Sequence, residues 1–147
     1  MSRKKLIITI IVLAVAVAGI YGYHEYYRSN RDLGDVQADF SVPATGLIKE
    51  FITNETAADN KYRNKVLSVS GMVKGVDSSG NFYTIEVGDT SDMSSVRCSV
   101  DSTHTSQAAN LKRGMNVVIK GAMTGFKKDD TGLLGSDIEL NRCVIQQ

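Results

Sequence analysis

Lys65-Val66-Leu67-Ser68-Val69-Ser70-Gly71-Met72-Val73-Lys74 is the stretch on which the fold turns. Up to Lys65 the apolar residues recur at helical spacing, and from Val66 the period is two. Leu67, Val69, Gly71 and Val73 share one side of the chain, and Ser68, Ser70, Met72 and Lys74 the other. That alternation is the signature of a strand with one face on a core. Gly71, in mid-strand, predicts a bend or the close approach of another segment. The pattern returns at residues 115–126, where Val117, Ile119 and Gly121 alternate in the same way.

Between and beyond these two strands the sequence supplies three more. Asp77-Ser78-Ser79-Gly80-Asn81 reads as a turn, after which Tyr83, Ile85 and Val87 mark the inward side of a second strand. Val96, Cys98 and Val100 share one face of a short third strand, with Arg97 and Ser99 on the other. Residues 101–110 can form a helix capped by Asp101 or Ser102 and ended near Gly114. After a polar turn at 127–132 a fifth strand runs from about Asp137 to Ile145. Five strands, two of them long and glycine-bent, with a helix between the third and fourth, match the plan of the OB-fold, a small Greek-key barrel.

Working back toward the N-terminus, Pro43 opens a helix whose Leu47, Ile48, Phe51 and Ile52 lie on a core, and Asn54 caps a second short helix to about Asn60. Residues 6–23 carry no charge, and as a helix they would span about 27 Å, close to the thickness of a bilayer core. Arg3, Lys4 and Lys5 precede this run, and Tyr21, Tyr23, Tyr26 and Tyr27 follow as an interfacial belt would. The positive-inside rule puts the N-terminus in the cytoplasm and the remainder outside. The resulting plan is a cytoplasmic tip at 1–5, a transmembrane helix at 6–23, a polar juxtamembrane linker at 24–38 and a mainly β barrel domain with added helices at 39–147. A cleaved signal peptide is the alternative, since Ala14-Val15-Ala16 and Ala16-Val17-Ala18 have cleavage spacing, although the apolar run continues past them.

Composition narrows the function. Removing Arg3, Lys4 and Lys5 from the 17 basic residues leaves 14 against 16 acidic ones, so the part beyond the apolar run sits near −2. A general nucleic-acid binder needs a basic face to displace counterions from phosphates, and this balance makes nucleic acid an unfavoured partner. Two cysteines cannot make a four-thiolate zinc site, and with only His24 and His104 to add there is no ligand cluster at metal spacing, so neither a structural metal nor a cofactor is expected. The N-terminal segment has no cysteine to acylate, so the anchor would be the peptide itself.

The residues Tyr62 to Gly71, then Val96-Arg97-Cys98, Leu111-Lys112-Arg113-Gly114, Val118-Ile119-Lys120-Gly121, Leu140 and Cys143 carry a likeness to a known family. Over residues 36–145 the chain resembles the tRNA-anticodon-domain-like OB proteins, small bacterial proteins that commonly carry an N-terminal membrane segment or a lipoprotein signal. The resemblance implies an OB barrel with helices added before its first strand. These are framework motifs, which specify a fold and leave the ligand open.

OB barrels that hold single strands stack bases on exposed aromatics above a basic groove. The candidates here are Tyr62, Phe82 and Phe126, with Lys74 and Lys120, set against the bland reading of aromatics in or capping the core. Tyr83, Lys127 and Lys128 are further members, but Asp129-Asp130 cancels the charge of the lysine pair. His104 with Ser102, Ser106 or Asp101 is the only catalytic combination on offer. Groups so close on one short helix lack the orienting geometry of a triad, so no catalytic residues are expected. Asp89 and Asp92 lack the glycine and bidentate glutamate of a calcium loop. The expected function is a membrane-anchored binding module for a protein, peptide or glycan, with single-stranded nucleic acid as the alternative. Cys98 and Cys143 are a disulfide candidate: the strands that carry them are neighbours in an OB barrel, and two thiols outside the cytoplasm can pair without remainder. Cys143 is out of step with Ile138 and Leu140 unless Asn141-Arg142 forms a bulge, and two buried thiols are the simpler alternative.

Overall fold

The computed structural model describes residues 3–29 and 32–146. Met1 and Ser2 of the tip, Asn30 and Arg31 of the linker and Gln147 lie outside the described residues. So do the side chains of Arg3, Lys4, Lys5 and Tyr27, on which the orientation argument draws. The chain forms two compact units, Met1–Asp32 and Leu33–Gln147.

The first unit is one helix, α1 (Arg3–Ser29), with a 20-residue stretch, Ile7–Tyr26, long and apolar enough to cross a membrane by length and composition. It runs six residues into the segment read as linker. Once a helix is nucleated each further residue adds a hydrogen bond cheaply, and between Gly22 and Ser29 no proline or glycine stops it.

The second unit is the barrel. Its elements are β1 (Phe40–Pro43), α2 (Ala44–Thr53), α3 (Glu55–Tyr62), β2 (Val66–Ser79), β3 (Phe82–Gly88), β4 (Ser95–Val100), a 3-10 turn (Ser102–His104), α4 (Thr105–Ala108), β5 (Asn116–Lys127) and β6 (Asp137–Gln146). The sheet runs β1-β2-β3-β4-β6-β5, and a further pairing of β2 with β5 closes the last five strands on themselves. β4 and β6 are parallel while the other pairs in the closed ring are antiparallel. This is the five-stranded OB plan, with its helix between β4 and β5.

β1 is an addition that sequence reasoning missed. It lies parallel to the first half of β2, from Phe40 opposite Leu67 to Pro43 opposite Ser70. Four residues ending in proline give no measurable alternation, and only the pairing with β2 makes them a strand. Pro43 therefore ends β1 as the N-cap of α2 and does not enter its first turn. The buried stripe of α2 is Ala44, Leu47, Leu-adjacent Ile48 and Phe51, while Ile52, expected inside, is exposed. Asn54 caps α3 as expected, its side chain accepting from Ala57 N at 3.1 Å.

Gly71 and Gly121 are explained by close approach. A Cβ on Gly71 would come within 2.7 Å of Val87 Cγ1 and 3.1 Å of Ala44 Cβ, and one on Gly121 within 2.5 Å of Cys143 Sγ. The expected turn at 77–81 is tighter than its composition suggests. β2 and β3 stay paired as far as Ser79 and Phe82, leaving Gly80 (φ 62°) and Asn81 as a two-residue loop. Glycine at the first position of such a loop suits the II′ turn, whose twist matches that of the strands.

Along β4 and β6 Cys98 faces Leu140 and Val100 faces Cys143, so Ser99 stands opposite both Asn141 and Arg142. That is the bulge on which the phase of Cys143 depends, and Arg142 takes φ 52° to make it. Beyond it Cys143 points inward with Ile138 and Leu140, and all three are buried.

Candidate ligand-binding face

OB barrels characteristically bind on the outward face of their second and third strands and on the loops beside it, between strands one and two and between four and five. In this chain these are β3 and β4, the Gly80-Asn81 turn and residues 128–136. The pairing registers align one outward residue from each strand into a row, Gly75–Glu86–Arg97–Glu139–Gly125. Strand alternation explains the row: Glu86 lies between buried Ile85 and Val87, Arg97 between Val96 and Cys98, and Glu139 between Ile138 and Leu140.

Arg97 stands at the centre. Its Nε is 3.7 Å from Glu86 Oε1 and its Nη1 3.6 Å from Asp137 Oδ2. A shallow hollow of about 240 Å³ opens beside it, lined by Thr84, Arg97, Ser99, Glu139 and Asn141. Three carboxylates thus surround one guanidinium that is already shared between two of them. The floor is polar, net negative and supplied with hydrogen-bonding groups.

Both flanking loops present bare apolar side chains. Phe82, beside the two-residue turn, is 73% exposed, and Leu133 and Leu134 are 73% and 77% exposed. The second loop is a built structure. The Asp129 carboxylate accepts from Thr131 N (2.9 Å), Leu134 N (2.7 Å) and Gly135 N (3.1 Å), and from the Thr131 hydroxyl. Led by the Thr131 hydroxyl, these donors lower the carboxyl to about 2. Gly135 (φ 76°) lies against the Met93–Ser94 backbone, so closely that a Cβ there would fall 2.4 Å from Met93 C. Ser136 N donates to Ser94 Oγ at 3.1 Å, joining this loop to residues 89–94.

A larger groove lies elsewhere, on the outer side of β2, β5 and the end of β6. It encloses about 730 Å³ beside Ser70, Met72, Met115, Asn116, Val118 and Gln146, and no ionisable side chain lines it. Size favours the groove. The β3–β4–β6 face has the convergent charged and polar groups that give a site its specificity, and we take it as the candidate.

The tRNA_anti-like family model matches residues 1–138 of this chain. The chain belongs to the tRNA_anti-like family. A lipoprotein of Klebsiella pneumoniae subsp. pneumoniae MGH 78578, named as a candidate nucleic acid-binding protein, shares the fold at TM-score 0.56 and 15% identity, over 72% of this chain and 91% of its own. Asparaginyl-tRNA synthetase of Pyrococcus horikoshii aligns at TM-score 0.41 and 16% identity, over 59% of this chain and 21% of the synthetase. The OBody AM3L09, solved bound to hen egg-white lysozyme, aligns at TM-score 0.44 and 20% identity, over 59% of this chain and 86% of its own. No curated protein matches the sequence.

Within this tRNA_anti-like barrel the five residues singled out from the sequence do not come together. Tyr62 is fully buried and its hydroxyl lies 3.1 Å from both Glu50 carboxylate oxygens. Phe126 packs on Phe51 with ring centroids 4.9 Å apart. Lys74 donates to the carbonyls of Asp92 (2.6 Å) and Ser94 (2.8 Å) and to Ser95 Oγ (3.0 Å). Lys120, only 7% exposed, donates to the carbonyls of Gly34 (3.0 Å) and Val36 (2.8 Å), so it clasps residues 33–36 to the outside of β5. Of the five, Phe82 alone stands bare beside the candidate face. The face residues Glu86, Arg97, Asp137 and Glu139 carry no motif. Alternation shows that they point outward, but only the register shows that they are neighbours.

The remaining polar candidates hold structure. Asp101 caps the 3-10 turn through Thr103 N, and His104 sits half-buried at its end. Asp89 accepts from Ser91 N (2.9 Å) and its hydroxyl (2.7 Å), and Asp92 from Ser94 N (2.9 Å), each closing a turn. Lys128 pairs with Asp130 at 3.4 Å.

Proposed function

We propose that this chain is a membrane-anchored, non-enzymatic binding module whose barrel lies outside the cytoplasm and takes a protein, peptide or glycan on its β3–β4–β6 face, a basic peptide segment being the ligand its charges favour. The observation that carries the reading is the Glu86–Arg97–Glu139 row with Asp137 beside it. A phosphate approaching Arg97 meets two flanking carboxylates and a third one row away. A lysine or arginine side chain meets the opposite field. Phe82, Leu133 and Leu134 at the margins offer apolar contact to the residues on either side of such a group. α1 supplies the anchor by its length and composition.

The second reading, binding of single-stranded nucleic acid, is favoured by the name of the Klebsiella protein. Salt-titrated binding of the full chain in detergent separates the two. A peptide with one lysine or arginine between apolar residues is expected to bind, and a single-stranded oligonucleotide is not. Micromolar oligonucleotide affinity at physiological salt, falling steeply as salt rises, overturns the first reading. Reporters fused to the C-terminus test the location, with activity outside the cytoplasm expected.

A further inference from the structure

We propose that Cys98 and Cys143 are a disulfide pair, closed by exchange with an external disulfide while the barrel folds. The compartment in which this happens rests on the extracytoplasmic reading above, whereas the pairing itself rests on geometry.

β4 and β6 are adjacent parallel strands, and the bulge at Asn141-Arg142 turns Cys143 inward opposite Val100, so that it is the diagonal neighbour of Cys98 on the same inner face. Both side chains are fully buried and both are thiols in this structure. Cys98 Sγ lies 3.9 Å from the Val96 carbonyl oxygen on its own strand. Gly121, across on β5, makes room for the Cys143 sulfur, since a Cβ there would fall 2.5 Å from Sγ. No third cysteine exists to compete. On oxidation each thiol loses a proton, the pair loses two electrons in forming the S–S bond, and the external disulfide takes the electrons and leaves as two thiols.

Burial sets the time at which this happens. Loss of solvent, followed by the neighbouring Cys98 thiol, pushes the Cys143 thiol well above its ordinary range, so the closed barrel holds little thiolate and gives an oxidant no access. Exchange must therefore precede closure. The redox state of the pair then records the compartment in which the chain folded.

The full chain, recovered from membranes and alkylated in denaturant without reductant, is read by intact mass spectrometry. We expect neither cysteine to be alkylated before reduction and both afterwards, with Cys98→Ser and Cys143→Ser each leaving one thiol alkylated in every condition. Two alkylated thiols in a chain whose reporter lies outside the cytoplasm overturn the pairing. If the reporter lies inside, the localisation reading has failed, and unfolded chain is refolded in a glutathione redox buffer. An intramolecular disulfide there sustains the pairing, and two thiols or a disulfide-linked dimer overturn it.

Discussion

Two sides of the barrel differ in what covers them. The outer face of the β2–β5 side is covered in part by the N-terminal additions: residues 33–36 are clasped by Lys120, and β1 extends the sheet along β2. On the β3–β4–β6 side Thr84, Glu86 and Arg97 are half-buried among their strand neighbours and Ser99 is exposed. The comparison teaches that a lysine on an outward strand position says little until its cover is known. Lys120 binds backbone carbonyls under a roof, whereas Arg97 faces solvent among carboxylates. Substitutions on the roofed side should therefore register in stability, and those on the bare side in binding.

The largest effect is expected from Gly71→Val. The new Cβ falls 2.7 Å from Val87 Cγ1, closer than Cβ atoms come, and a tight 3.1 Å from Ala44 Cβ, and overpacking of this kind costs about 3 kcal/mol. Denaturant unfolding of the barrel checks it, and an unchanged midpoint would mean that α2 is only loosely seated. Next comes Lys120→Ala, which leaves the Gly34 and Val36 carbonyls without their charged donor. A loss of about 2 kcal/mol is expected, together with faster proteolysis near residues 33–36.

On the bare side Glu86→Gln with Glu139→Gln should shift the unfolding free energy by less than about 1 kcal/mol, as for exposed charge pairs generally. The same double change should weaken a basic peptide several-fold and reduce the salt dependence of its binding. A large loss of stability with unchanged binding would reverse the assignment of the two sides. The smallest effect concerns Asp129. Its folded-state carboxyl lies near 2, below the ordinary value of about 3.9, so its contribution to stability is present above that ordinary value and is lost as pH falls through about 2. Protection of the Leu134 and Gly135 amides, measured against their intrinsic exchange rates, should persist at pH 5 and fall below pH 3, with that of the strands unaffected.

The strands were legible because a half-buried strand writes its burial into a period of two. Leu67, Val69 and Val73, and likewise Ile85, Val87, Val96 and Cys98, occupy the buried positions that their spacing predicts. The caps at Asn54 and Asp101 were legible for a similar reason, since a side chain that bonds backbone two or three residues on is a local event. The site was not legible. Tyr62 and Phe126 were chosen for being aromatic, and Lys74 and Lys120 for being basic, yet whether such groups face a ligand or the interior depends on segments far away in the chain.

The sequence by itself determined the apolar helix, the five strands with their inward residues, and the glycines where chains come close. Each of these depends on neighbours within a few residues or on a periodicity that runs along one element. The tertiary structure alone decided that residues 40–43 are a strand, that Lys120 is a clasp, that both cysteines face inward from adjacent strands, and that Glu86, Arg97 and Glu139 form a row. These depend on contacts between residues far apart in the chain, 86 positions for Lys120 and Gly34 and 53 for Glu86 and Glu139, and in the strands a change of a single residue in pairing would align different side chains.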